Sequence, residues 1–220
     1  MRKFALCLVA GVFAASSAQL VSADVICPDQ TPKVYEVVPG TAGPSIPDNS
    51  PAGASLSIVV PEDDPACPLI WDLNVDVLIR HTWQGDLTLR LTHVDSGTSV
   101  VLMDRPGRTT SGFGFSNDNL GNPATGARFI FDDEAAAVYD TGSPGAPVNN
   151  PTGLWRPENS LSAYDQLAKA GTWTLSVTDS AGGDTGRIEA FSLHFINKVP
   201  EPATLGLLAI GSLALIRRRR

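Results

Sequence analysis

The spacing of the apolar residues constrains this chain more than any other feature. Leu73, Val75, Val77 and Ile79 alternate with Asn74, Asp76 and Arg80. Leu87, Leu89 and Leu91 alternate with Thr88, Arg90 and Thr92, and Trp173, Leu175 and Val177 with Thr172, Thr174 and Ser176. Successive strand side chains point to opposite faces, so a period of two marks a strand with one buried face. Residues 55–60, 99–103, 128–131 and 187–196 are further strand segments. Turn residues separate them at Gln84-Gly85-Asp86, at Asp95-Ser96-Gly97 and over 179–186. Short strands divided by Gly-rich turns predict an all-β sandwich. The one helical feature expected is a short helix or single turn over residues 132–139, where acidic residues precede Ala135-Ala136-Ala137. No internal repeat is visible.

Both ends read as processing segments. Residues 1–23 carry Arg2 and Lys3, an apolar run too short to span a bilayer comfortably, and the small residues Val21-Ser22-Ala23, as a secretory signal peptide does. Residues 24–54 are rich in Pro, Gly, Ser and Thr with no helical period, and are expected to be an extension of extended chain and turns ahead of a domain over 55–198. Setting aside Arg2, Lys3, Arg217–Arg220 and Glu201 leaves 10 basic and 22 acidic residues, a net charge of −12. Such a surface repels phosphate backbones and makes nucleic acid a poor partner. Cys27 and Cys67 remain once the signal peptide is gone, an even pair in an exported chain, for which a disulfide is the expected state. It would close a loop of about 40 residues and stabilise the fold by roughly 4 kcal/mol in the chain-entropy account.

The residues offer little catalytic chemistry. His81, His93 and His194 have no compact metal spacing, and His194, between Leu193 and Phe195, is expected to face outward. No GxSxG motif is present. Asp140-Thr141-Gly142-Ser143 and Asp184-Thr185-Gly186 imitate the DTG of aspartic proteases. Those enzymes oppose two carboxylates across a two-fold axis between lobes, which so short a separation cannot accommodate. The acidic residues Asp86, Asp132, Asp133, Glu134, Asp179 and Asp184 fall at strand ends or in loops. They read either as a solvated acidic rim or as oxygen ligands for a divalent cation such as Ca²⁺.

Several phrases in order resemble the P domain (P/Homo B domain) of proprotein convertases and bacterial subtilisin-like proteases. They are Val75-Asp76-Val77 with Ile79-Arg80-His81-Thr82-Trp83-Gln84-Gly85-Asp86-Leu87, the hairpin turn Asp95-Ser96-Gly97-Thr98, and Phe131-Asp132-Asp133-Glu134-Ala135. Then come Gly153-Leu154-Trp155-Arg156-Pro157, Leu161-Ser162-Ala163-Tyr164, Gly171-Thr172-Trp173-Thr174-Leu175 and Phe191-Ser192-Leu193-His194-Phe195. The resemblance spans residues 55–197 and implies a jelly-roll-type β-sandwich. Trp71, Trp83, Trp155 and Trp173 are its expected core aromatics, and the Gly85-Asp86 turn its expected hairpin. It also implies calcium in some members, carried here to Asp86, Asp133, Glu134, Asp179 and Asp184. The family's proteases place a catalytic domain of several hundred residues before this one. Only about thirty residues precede the first matching strand here, so the expectation is an accessory domain without the enzyme.

The C-terminus resembles the PEP-CTERM sorting signal of exopolysaccharide-producing Gram-negative bacteria. It combines Pro200-Glu201-Pro202, an apolar run over 203–216 expected to form a hydrophobic helix, and Arg217, Arg218, Arg219 and Arg220. The arginines would act as a positive-inside stop, and the run is shorter than the ~20 residues of a stable span. The resemblance implies transient anchoring in the inner membrane, cutting by an exosortase, and delivery to the cell surface or extracellular matrix. The expected role is a non-catalytic binding or structural module, with exopolysaccharide a candidate partner. The alternative is support of a separately encoded subtilisin-like protease and hence of proteolysis.

Overall fold

The structure, a computed structural model, describes residues 32–65, 67–108 and 112–196. The expected signal peptide and sorting helix lie outside the described residues. Ten strands form: β1 (Lys33–Val37), β2 (Ser45–Ile46), β3 (Ser50–Val60), β4 (Asp72–His81), β5 (Leu87–His93), β6 (Thr98–Asp104), β7 (Phe129–Phe131), β8 (Gly153–Trp155), β9 (Gly171–Asp179) and β10 (Gly186–Ile196). A six-stranded sheet has the order β1-β10-β4-β7-β8, with β2 also paired to β10. A four-stranded sheet has the order β3-β9-β5-β6. All pairs are antiparallel except β7 with β8. The protein is an all-β sandwich.

The alternation sets which faces meet. Leu87, Leu89, Leu91, Trp173, Leu175 and Val177 are fully buried on the four-stranded sheet, opposite Val75, Val77, Ile79 and Leu193 of the other. Trp173 lies at the centre, with its ring 5.7 Å from Phe195, 5.0 Å from Tyr164 and stacked 4.4 Å from His93. Its indole N–H donates to the Lys169 carbonyl at 2.9 Å, so the buried polar end is satisfied. Of the four tryptophans expected in the core, only Trp173 is fully buried; Trp71, Trp83 and Trp155 are partly exposed. They belong to turns and an edge strand, where the alternating pattern does not operate.

Two further expectations are corrected and one is narrowed. The turn at Gln84-Gly85-Asp86 does not close a hairpin. It is a 3-10 turn that carries the chain from β4 in one sheet to β5 in the other. Of the short helix or single turn expected over residues 132–139, the structure forms the turn. The Asp132 side chain accepts the Glu134 N–H at 2.7 Å and fixes a turn, while the Arg156 N–H takes the Ala137 carbonyl at 2.8 Å. Residues 33–54 are not merely extended chain ahead of the domain. β1 covers the edge of β10 with Val34 against His194, and β3 begins at Ser50, so position 55 lies inside a strand.

The sheet-changing turn is held by one side chain. Gln84 is fully buried and its amide nitrogen lies 3.0, 2.6 and 3.1 Å from the carbonyls of Asp118, Asn119 and Val148. Its amide oxygen accepts the Tyr139 hydroxyl at 2.9 Å. Two long connections are thereby fastened to the corner. Gln84→Ala leaves the Asn119 carbonyl without a donor and the Tyr139 hydroxyl without its amide acceptor, and should lower stability by about 2–3 kcal/mol in urea unfolding. Tyr139→Phe, which keeps the ring contacts, should cost about 1 kcal/mol. Unchanged urea midpoints for Gln84→Ala would contradict this account.

Candidate functional site

The polar groups that the sequence singled out divide between two ends of the sandwich. At one end β4 finishes, β5 starts, β9 finishes and β10 starts: Leu87 pairs with Asp179 and Gly186 with His81. Asp86, Asp179 and His81 are buried there, against the expectation of a solvated rim. His81 Nε2 lies 3.2 Å from Asp179 Oδ2, and its Nδ1 lies 2.8 Å from the Trp83 carbonyl oxygen and accepts the Trp83 N–H at 3.1 Å. Arg105 reaches Asp86 at 3.8 Å and donates to the Gly85 carbonyl at 3.1 Å. Asp184 is half-buried and accepts the Thr82 hydroxyl at 2.7 Å. Gly85 is required at this corner, because a Cβ there would stand 2.5 Å from the Phe115 nitrogen.

Burial, and then the charges of Asp179 and Asp184, push the Asp86 carboxyl up to about 6; Arg105 and His81 oppose the shift. The group is buried among like charges faster than its cations compensate.

Asp133 and Glu134 lie at the opposite end. β4 runs from Asp72 to His81, ten residues, or about 30 Å, so these residues cannot join Asp86 around one ion. Asp133 is already engaged. Its carboxylate accepts the Leu161 and Ser162 N–H groups, both at 2.9 Å, and the Ser160 hydroxyl, and so caps the 3-10 turn Leu161–Tyr164. Glu134 is exposed, and its hydrogen bond with Asp132, burial and the Asp72 charge raise its carboxyl above the usual range. Trp71, Asp72, Asp133, Glu134, Ser162 and Asp165 line a recess of about 180 Å³ at this end. Among the described residues no group of three or more His, Cys, Asp or Glu is placed to hold a metal.

His194 faces outward as expected, but it is paired. Its Nε2 lies 2.8 Å from Asp76 Oδ2 on the adjacent strand. Burial pushes Asp76 up, yet hydrogen bonds to His194 and Ser192 and the charges of His194 and Arg128 outweigh it and leave the carboxyl below its ordinary value. Neither His81 nor His194 has a hydroxyl at hydrogen-bond distance among the described residues. The serine–histidine contact that does form, His93 Nδ1 to Ser96 Oγ at 2.9 Å, lies within the β5–β6 turn. The other His93 nitrogen faces the Ala170 carbonyl, so no acid orients that ring. Asp140 accepts the Thr141 N–H of its own turn at 2.7 Å and the Gly107 N–H of the segment after β6 at 2.6 Å, and so fastens one turn to the other. Cys67 is buried; Cys27, Pro200, Glu201, Pro202 and Arg217–Arg220 lie outside the described residues. His81 and Gln84 were not singled out from the sequence as site residues. The signal for His81 was its phase, since it continues the inward series of Val75, Val77 and Ile79. Gln84 carried none.

Residues 198–220 match the PEP-CTERM protein-sorting motif. The chain therefore carries a signal for export across the inner membrane to the cell envelope or surface, of the type that exosortase enzymes recognise. The motif begins two positions after β10 ends at Ile196. Similar solved structures include the serine protease of Aeromonas sobria in complex with its chaperone, at 16% identity and a TM-score of 0.47 over 79% of this chain. The same protease alone matches at 14% identity and a TM-score of 0.44 over 78% of this chain. The match spans 28% of the length of each of those chains. No curated protein matches the sequence.

The Asp86 environment yields a pH dependence with a definite sign. An acid whose folded value is raised binds its proton more tightly when folded. The contribution of Asp86 to stability is therefore largest near pH 4 and is lost as pH climbs through about 6. Asp86→Asn removes the ionisation. Its stability relative to the parent should rise from near zero at about pH 4 to as much as about 3 kcal/mol at pH 7. A gap that does not change with pH in denaturant titrations would refute the assignment.

Proposed function

We propose that this chain is an exported, non-catalytic P-domain-like sandwich. Its tail sorts it to the cell surface or extracellular matrix, where the sandwich serves as a binding or structural module. The observation that carries this reading is the sorting motif at residues 198–220, directly downstream of the last strand of an all-β domain. The polar clusters support the non-catalytic part of the reading. Their carboxylates and imidazoles hold turns together, as Asp133 does at Leu161, Asp140 at Gly107 and His81 at Asp179. The Cys27–Cys67 disulfide belongs to the same proposal, as exported domains of this size commonly carry one. A role beside a separately encoded subtilisin-like protease is the second reading, and the ordered P-domain phrases favour it.

Replacing Pro200-Glu201-Pro202 with alanines should leave an uncut precursor in the inner membrane, seen as a larger band in the membrane fraction. Normal surface levels of that variant would remove the basis of the proposal.

Calcium is proposed only for the end that holds Asp86, Asp179 and Asp184, which would have to draw together around the ion and whose mutual repulsion it would relieve. A hundredfold excess of Ca²⁺ over its Kd would stabilise the fold by roughly 2.7 kcal/mol. The melting temperature should then rise by several degrees in millimolar calcium and not in magnesium, and Asp184→Asn should blunt the rise. Equal melting in calcium and chelator would mean that Arg105, His81 and Thr82 already satisfy these carboxylates.

A further inference from the structure

The two sheets protect their edges unequally. At the β6 edge, the Leu102 and Val101 carbonyls accept the N–H groups of Glu158 and Asn159, both at 3.0 Å. Beside β8, Arg156 bridges to Val138. β1 is short and carries Lys33 and Glu36. β3 is different. It is an edge strand of eleven residues, paired on one side to β9, and it holds no charged residue. Among the described residues, none of the backbone hydrogen bonds outside the strand ladders involves it. Such an edge is a template for another strand, and proteins commonly blunt one with lysine, proline or a covering loop; the one proline of β3, Pro51, stands at its start, before Ala54. The bulge at Gly53 interrupts the start of β3, but Ala54–Val60 runs in unbroken register with β9.

The charge distribution names the occupant. The chain between its two end segments carries −12, yet the four strands of this sheet contain only Arg90, Asp104 and the buried Asp179 as charged residues. The outer face beside β3 is a row of paired hydroxyls, Ser55 with Ser176 at 3.3 Å and Ser57 with Thr174 at 2.9 Å. Two copies that repel each other over most of their surfaces meet here with little opposing charge. We propose that the free edge of β3 pairs antiparallel with β3 of a second copy of this chain, joining the two four-stranded sheets into one continuous sheet. Antiparallel pairing of one edge with itself closes a two-fold dimer and leaves no further edge of this kind open. Ser57 is the midpoint of the unbroken segment and falls on the axis. Val59, 72% exposed in the single chain, then lies opposite Ser55 of the second copy and is covered.

The test uses the purified full chain in detergent. Ser57→Cys places two thiols across the axis at a spacing a disulfide can span. Mild copper-catalysed oxidation should convert most of that variant to a disulfide-linked dimer on a non-reducing gel. The parent chain, with its native cysteines, and Ala136→Cys, an exposed loop position, should stay monomeric on the gel. Adding Val59→Lys should abolish the cross-link and raise the dimer dissociation constant at least tenfold in sedimentation, with an unchanged melting temperature. The proposal is overturned by no cross-link at position 57, by equal cross-linking at position 136, by capture of a different polypeptide, or by a dimer that survives Val59→Lys.

Discussion

The contact between His81 and Asp179 is the joint on which the sandwich turns. Two chain passages between sheets, from β4 to β5 and from β9 to β10, meet at one end, and this pair ties them at 3.2 Å with both side chains fully buried. A buried ionisable pair is costly to desolvate, and removing one partner strands the other. The corner accepts that cost because so much hangs from it: the Trp83 backbone on the imidazole, the Ala181 N–H on Asp179 at 3.0 Å, and the Ser180 N–H on the Asp86 carbonyl at 2.9 Å. A hydrophobic corner of similar volume would fill the space but could not terminate these backbone groups.

From that corner the long connections are fastened in sequence. Gln84 beside it grips three carbonyls and Tyr139. Tyr139 then packs edge-on against Phe115, Phe129 and Trp155, at 5.6, 5.4 and 4.8 Å. Among the described residues, the segments between β6 and β9 contain two short strands, and this aromatic cluster supplements their few ladder bonds. The opposite end uses the same device on a smaller scale, with Asp133 ordering a 3-10 turn. Carboxylates in this protein are chiefly fasteners for irregular backbone, which is what an exported domain with few helices and many turns requires.

How much could be read in advance varied with the kind of signal. Strand positions followed from alternation, because the pleat imposes a period of two wherever one face is buried. Leu87, Leu89 and Leu91 needed no tertiary information. The acidic stretch 132–139 left a short helix or a single turn open, because alanine propensity favours a helix when nothing else competes. Here the Asp132 side chain competes for the first N–H, and the Tyr139 ring must reach the core. The early boundary of β3 and the docking of β1 were hidden in a Pro- and Gly-rich segment whose composition describes turns but not partners. Of the tryptophans, Trp71 and Trp83 were misjudged for one reason, while Trp155 reaches the core from an edge strand. Size favours burial, but only strand phase places a ring between the sheets, and Trp173 alone has that phase.

The sequence by itself determined the class of the fold, the strands with one buried face, and the destination of the chain. These are local properties: a side-chain period, and a linear motif of proline, acid, apolar run and arginines. Only the tertiary structure decided which sheet each strand joins, that the Gly85-Asp86 turn crosses between sheets, and that Asp86 and Asp179 are buried together while Asp133 stands about 30 Å away. Those facts depend on pairing between residues far apart in the chain. His81 and Asp179 are 98 positions apart, and no local pattern encodes a contact whose energy exists only once both strands have found their places.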